Sequence, residues 1–262
     1  MRAWQRSLLG LAAALLIASL LPPAALAQGP LERLERTAFA HYTLALTWHP
    51  GFCETRSRPP SECREASLRE GSEQGFVLHG LWPSLPQRFA ARGIGQRRWW
   101  QQGCFVESPQ ADGSFCRAHP PLELPAPLGE ALDSVMPGRA SCLERYQFAK
   151  HASCLALPER AYFAASVALV ERVNASAFAA FVVFNQGGEV ERNALIEAFE
   201  AAFGNGTGRA LRLTCRGRGN RWLTEVRIAI AADRLGAFPA AGSLVRQARG
   251  RCATRVRIAT FD

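Results

Sequence analysis

The stretch RWLTEVRIAIA, residues 221–231, sets Thr224, Val226, Ile228 and Ile230 at every second position, with no Gly or Pro to interrupt the run. That period of two belongs to a β-strand with one buried face. ALRLTC (210–215) just before it, and TRVRIAT (254–260) beyond a turn-rich segment at 236–250, carry the same alternation. Toward the N-terminus, YTLALTW (42–48) and GFVLHGLWP (75–83) also read as strands, the second ending at Pro83. Helical patterns lie between the two groups, at 130–135, from about 141 to 154, at 159–173 and at 193–203, the last stopped by Gly204-Asn205-Gly206. Residues 87–127, rich in Gly, Pro, Gln and Arg, read as a long loop segment pinned by cysteines, with a short helix near Trp99. Strands and helices are partly segregated rather than strictly alternating. This predicts an α+β fold and argues against a doubly wound parallel sheet.

The first residues bear on destination. Arg2 and Arg6 precede an apolar run from Leu8 to Leu21, and Ala25-Leu26-Ala27 has the small-x-small pattern of a signal-peptidase site. The run is shorter than the roughly 20 residues of a spanning helix, and Pro22-Pro23 breaks it. Residues 1–27 are therefore expected to be a signal peptide, leaving 28–262 as a single domain in the periplasm or outside the cell; two small domains are the alternative. Losing Arg2 and Arg6 lowers the formal charge from +9 to +7. A basic balance of this size draws a protein toward polyanions without choosing among them.

All eight cysteines lie beyond residue 27, at 53, 63, 104, 116, 142, 154, 215 and 252. An even number in an exported chain reads as four disulfides, with 105 possible pairings. No pair has the close spacing of a thiolate zinc knuckle, so no metal is expected.

The chemistry is sought among five histidines, of which His79 and His151 keep unusual company. If 76–83 is a strand, His79 and Leu81 share one face, and Gly80 lets another group approach the backbone closely. If 142–154 is helical, Gln147, Lys150, His151 and Cys154 fall on one stripe, with Phe148 and Leu155 to one side. Lys150 is the single lysine beside thirty arginines. Two imidazoles and an ammonium suit RNA cleavage: one imidazole takes the 2′-hydroxyl proton, the other protonates the departing 5′-oxygen, and the ammonium meets the phosphorane charge. The nucleophile is internal to the substrate, so the chemistry needs no metal. His41, His49 and His119 read as structural or solvated.

FVLHGLWPS and RYQFAKHASC together resemble the two catalytic segments of the ribonuclease T2 family, in the same order and about seventy residues apart. YTLALTWHPGFC, ARGIGQRRWW and SCLERYQFAKHASC extend the likeness over most of the mature chain, closest to the bacterial periplasmic branch. The resemblance implies an α+β fold with a central antiparallel sheet flanked by helices. It implies His151 as general base, His79 as general acid, Lys150 as transition-state stabiliser and Trp82 as a stacking face for a base. It also implies the bridges Cys53–Cys63, Cys215–Cys252, Cys104–Cys154 and Cys116–Cys142. The implied partner is single-stranded RNA, cut by transphosphorylation to 2′,3′-cyclic phosphate ends. The reading is a monomer with no cofactor and no membrane association after signal removal.

Five positions depart from the family pattern. Gln147 stands where a glutamate is usual and has no proton to exchange, although its amide can hydrogen-bond a phosphate. Tyr146 replaces a third histidine, so phosphate binding there rests on a phenol. Ala152-Ser153 replaces Gly-Thr. Ser84 replaces an acidic residue that selects adenine in some members, which predicts weak base preference. Gln147 motivates the alternative, a catalytically weakened RNA-binding protein; a basic disulfide-rich interaction module explains the charge but not the paired motifs.

Overall fold

Residues 41–47 form the middle of a sheet because both neighbours bury them. In the computed structural model, which describes residues 29–261, strand β1 (His41–Thr47) pairs antiparallel with β2 (Val77–Pro83) on one side and with β5 (Trp222–Ala231) on the other. β4 (Leu211–Arg216) joins β5 antiparallel, and the short β6 (Arg255–Arg257) links β5 to β3 (Glu189–Glu191). The expected signal peptide, residues 1–27, lies outside the described residues. The α+β class and the largely antiparallel central sheet are as the sequence predicts.

The alternation read from the sequence sorts the two faces. Tyr42, Leu44 and Leu46 of β1, Val226, Ile228 and Ile230 of β5, and Leu211 and Leu213 of β4 enter one hydrophobic core. Helix α9 (Glu159–Asn174) supplies Tyr162, Phe163, Leu169, Val170 and Val173 to the same core, and α10 (Ala177–Phe184) and α11 (Arg192–Phe203) add Phe178, Phe199 and Phe203. Burying such side chains contributes roughly 1.5–3 kcal/mol each. Helix α10 has no counterpart in the sequence reading; its apolar run AFAAFVVF is capped by Ser176, whose Oγ accepts from Ala179 N.

β2 sits at the sheet edge, where unpaired backbone groups need partners. Helix α9 supplies them. The Tyr162 hydroxyl donates to Leu81 O at 2.7 Å and accepts from Leu81 N at 3.4 Å. Asn174, the last residue of α9, accepts from Phe76 N and donates to Phe76 O. This amide, the first residue of an Asn-Ala-Ser triplet, is thus committed to holding β2.

Residues 87–127 are more helical than predicted. They hold α4 (Gln87–Ala91), α5 (Gln96–Gln102), α6 (Phe115–Ala118) and the start of α7 (Ala126–Val135), and Trp99 stacks on Phe89 in a small second core with Cys104. Short alternating polar and aromatic stretches gave no periodic signal for helices of four to seven residues. The four disulfides join Cys53–Cys63, Cys104–Cys154, Cys116–Cys142 and Cys215–Cys252, the pairs the resemblance implies. Among the described residues no single helix is long and apolar enough to cross a membrane.

His49 opens the short helix α1 (His49–Glu54) and is buried. Its Nδ1 meets Ser72 Oγ at 2.7 Å, and its Nε2 has no partner. Burial first, and then the Arg69 charge, push its pKa down from 6.5 to about 4. His151, His41 and His119 are also lowered, chiefly by burial. A histidine whose folded pKa is depressed binds its proton more readily in the unfolded chain. Stability therefore falls as pH drops from about 6.5 through 4, with His49 accounting for up to about 3 kcal/mol. Urea unfolding across this range is expected to give a steep decline, and a shallower slope in His49→Asn.

Candidate active site

A bulge at the start of the HGLWP segment aims the first imidazole. Ala45 of β1 faces Gly80 and Leu46 faces Leu78, so His79 is the extra residue of β2. Leu78 and Leu81 then both reach the core. The expectation that His79 and Leu81 share a face is corrected by this bulge, which a strict period of two does not foresee. His79 turns instead to the opposite side of the sheet, its ring edge-on to Trp82 at 5.1 Å.

The second segment forms α8 (Leu143–His151), which lies across β2. Its buried residues are Glu144, Gln147 and His151, a polar face turned inward. Gly80 permits this approach: a Cβ there would overlap Gln147 Oε1 and Trp82 Nε1. The helix ends at His151, and Cys154 falls in a separate 3-10 turn, Ser153–Leu155, so the predicted four-residue stripe is cut after its third member. Disulfides at Cys142, just before α8, and at Cys154, just after it, fix both ends. Gly103, at φ 54°, brings the Cys104 turn onto the carbonyl of Lys150, where a Cβ would collide.

His79, Trp82, Tyr146, Gln147, Lys150, His151, Trp100 and Arg227 line one cleft of about 220 Å³. His151 is buried and stacks on Trp82, with centroids 5.4 Å apart and planes at 25°. Burial, then the charges of Lys150 and His79, hold its pKa well below 6.5, so the ring is neutral and ready to accept a proton. Lys150 Nζ donates to the Tyr146 hydroxyl at 3.2 Å. A second cavity of about 370 Å³ adjoins; His79 and Tyr146 line both, joined there by Thr47, Phe52, Arg56 and Leu143.

Two predicted binding roles take a different form. Trp82, expected as an open stacking face, is 7% exposed, with His151 stacked on it and the Arg227 guanidinium over its ring at 4.9 Å. Trp100, 45% exposed and edge-on to Trp82 at 5.5 Å, is the ring that solvent reaches. Its neighbour Trp99 is buried and donates to Pro83 O. Gln147, expected to be free for a phosphate, is buried and accepts from Trp82 Nε1 at 2.6 Å. Ser84 Oγ accepts from the Ala40 and His41 backbone amides and so belongs to the sheet edge rather than to a base pocket.

Glu225 is the residue the sequence reading missed. It lies in the middle of β5, 146 positions beyond His79, and its Oε2 is 2.5 Å from His79 Nδ1. Its Oε1 accepts from Arg227 Nε. Burial pushes the Glu225 carboxyl up, but the His79 hydrogen bond and the His79 and Arg227 charges outweigh it and hold the group below the usual carboxylate range. An acid two residues before Arg227, inside a strand whose alternation buries it, was the available signal. The nearest cluster of metal-ligand type elsewhere, His49 with Cys53 and Cys63, has both sulfurs in one disulfide.

The two segments thus bring a buried imidazole and a carboxylate-bound one together around one tryptophan on a largely antiparallel sheet. The chain belongs to the ribonuclease T2 family, whose sequence model matches residues 39–239. Ribonuclease I of Escherichia coli (strain K12) is 36% identical over 251 residues, 92% of this chain and 93% of that protein. The fold is shared with SF11-RNase of Nicotiana alata (TM-score 0.54, 16% identity, 85% of this chain and 100% of that one). It is also shared with a variant of RNase MC1 in complex with 5′-GMP (TM-score 0.53, 17% identity, 84% and 100%).

The contact at Gly80 gives a direct test. Gly80→Ala is expected to force Gln147 and Trp82 apart and to destabilise the protein by about 1–3 kcal/mol, the range for overpacking. Urea unfolding measures the loss, and near-ultraviolet circular dichroism reports the moved indole. An unchanged midpoint and spectrum would mean that α8 does not rest on Gly80.

Proposed function

We propose that this chain is an exported endoribonuclease that cuts single-stranded RNA by transphosphorylation, with low base specificity and no metal requirement. The observation that carries the reading is the pairing in one cleft of a neutral, buried His151 with a His79 bound to a carboxylate. His151 removes the proton from the ribose 2′-hydroxyl. The 2′-oxygen attacks the adjacent phosphorus, and the Lys150 ammonium balances the charge on the non-bridging oxygens. His79, as imidazolium, gives its proton to the 5′-oxygen as the P–O5′ bond breaks. The products are a 2′,3′-cyclic phosphate and a 5′-hydroxyl.

The flanking nucleotides have room on either side. His79 and Tyr146 form the wall shared by the two cavities, so a phosphate held there would direct one nucleoside toward Trp100 and the other toward Thr47 and Phe52. Among the described residues no acidic side chain lines the cleft beside Trp100, in keeping with weak base preference. Gln147, the departure that motivates a binding-only protein, hydrogen-bonds Trp82, a task that needs no exchangeable proton. The acid–base pair is complete without it. Four disulfides support export to an oxidising compartment through residues 1–27. The working form is a monomer.

Purified mature protein is expected to release cyclic-phosphate ends from RNA in the presence of EDTA, and His151→Ala or His79→Ala to lose at least about two orders of magnitude in kcat/KM. Equal rates in wild type and His151→Ala would overturn the assignment. The acid limb of the pH–rate profile reports the base. Because Lys150 depresses His151, Lys150→Gln is expected to move that limb to higher pH while lowering the rate.

A further inference from the structure

We propose that Glu225 is the positioning residue of the general acid: it fixes the His79 ring through Nδ1 and stabilises its imidazolium, leaving Nε2 as the nitrogen that delivers the proton. The inference rests on the endoribonuclease reading above and adds a residue to it.

The geometry makes the case. The Glu225 carboxylate is buried at the sheet floor, opposite Thr47 of β1 and Thr214 of β4. Its Oε2 is in hydrogen-bond contact with His79 Nδ1 at 2.5 Å, shorter than the roughly 2.7–2.9 Å usual for an N–H···O⁻ pair. Arg227 binds its other oxygen and in turn lies over Trp82 and Trp100, at 4.9 and 5.3 Å from their centroids. The carboxylate is therefore held through both oxygens, one by His79 and one by Arg227. An acceptor so placed requires hydrogen on Nδ1 in the neutral as well as the charged ring, so the proton that comes and goes sits on Nε2.

The surrounding charges explain why a carboxylate belongs there. His151 and Lys150 on α8, Arg227 beside Glu225 on β5 and Arg212 opposite Arg227 on β4 all face this region. Arg56, Arg58 and Glu62 line the neighbouring cavity with His79. Among the described residues, no acidic side chain lines the cleft that holds His79, Lys150 and His151, and the position of the family glutamate is the neutral Gln147. Without Glu225, an imidazolium at His79 would stand among cations with no carboxylate hydrogen-bonded to it. In the cleavage step, Nε2 loses its proton to the 5′-oxygen as the P–O5′ bond breaks, and the Glu225 carboxylate stays ionised throughout.

A general acid matters only when the leaving group needs a proton, and this separates positioning from mere structure. Glu225→Gln keeps the shape but removes the charge, and with its oxygen on His79 Nδ1 it gives up the acceptor for Arg227 Nε. It is expected to lower kcat at least about tenfold on a dinucleoside phosphate, with KM little changed. Cleavage of a nucleoside 3′-(4-nitrophenyl phosphate), whose leaving group departs without protonation, is expected to stay within about twofold. Equal losses on both substrates, or none on either, would overturn the proposal. Nitrogen-15 NMR of unmodified protein gives an arm independent of folding and of activity. Above its titration, His79 is expected as the Nδ1–H tautomer, and the Nε2–H tautomer would refute the pairing. A wild type that cleaves neither substrate would instead refute the endoribonuclease reading, with the NMR result still deciding the contact.

Discussion

The hydrogen bond from Trp82 Nε1 to Gln147 Oε1, made across Gly80, is the seam on which the rest of the site depends. It joins the edge strand to the helix that carries Lys150 and His151. With the seam closed, His151 lies on the tryptophan face and His79 at its edge, so one indole spaces the two imidazoles. The indole is buried and needs an acceptor, and an amide oxygen satisfies it without adding charge to a crowded cationic site. A position that looks like a defect in the sequence thus becomes a structural acceptor. Behind it, α9 holds β2 by its outer edge through Tyr162 and Asn174, so the strand that presents His79 is secured on both sides.

Electrostatics divides the labour between the histidines. His151 is buried among cations, and both effects favour its neutral form. His79 is a third exposed and touches a carboxylate. Two chemically identical side chains thus stand in different surroundings, one enclosed beside an ammonium and the other bound to Glu225. Arg227 connects this arrangement to the aromatic wall, since the same guanidinium binds Glu225 and covers Trp82.

The strands and the longer helices were legible because their periods are local: residues 221–231 and 159–173 differ by little from the observed β5 and α9. His79, Lys150 and His151 were legible because each sits in a compact motif. The misses at the site are non-local. The bulge at His79 is a property of the pairing between β1 and β2, so a reading of β2 alone put His79 on the side of Leu81. Trp99 and Trp100 are adjacent in sequence yet one is buried and the other open, which only the packing of α5 decides. Glu225 stands in the very strand whose alternation reveals the fold, but its partner lies 146 residues away, and no spacing rule connects them.

The helix carrying Lys150 and His151 is only nine residues long, too short to hold its shape on helix propensity alone. Its two ends are instead covalently tied, through Cys142 to Cys116 and through Cys154 to Cys104, into the segment that follows β2. The catalytic geometry is in this sense an oxidation product. A nascent chain with these four thiols still reduced lacks both tethers, so the alignment of base and ammonium becomes fully enforced only where disulfides form. For a protein that attacks RNA, such a dependence ties the alignment of the cleft to the redox state of its surroundings.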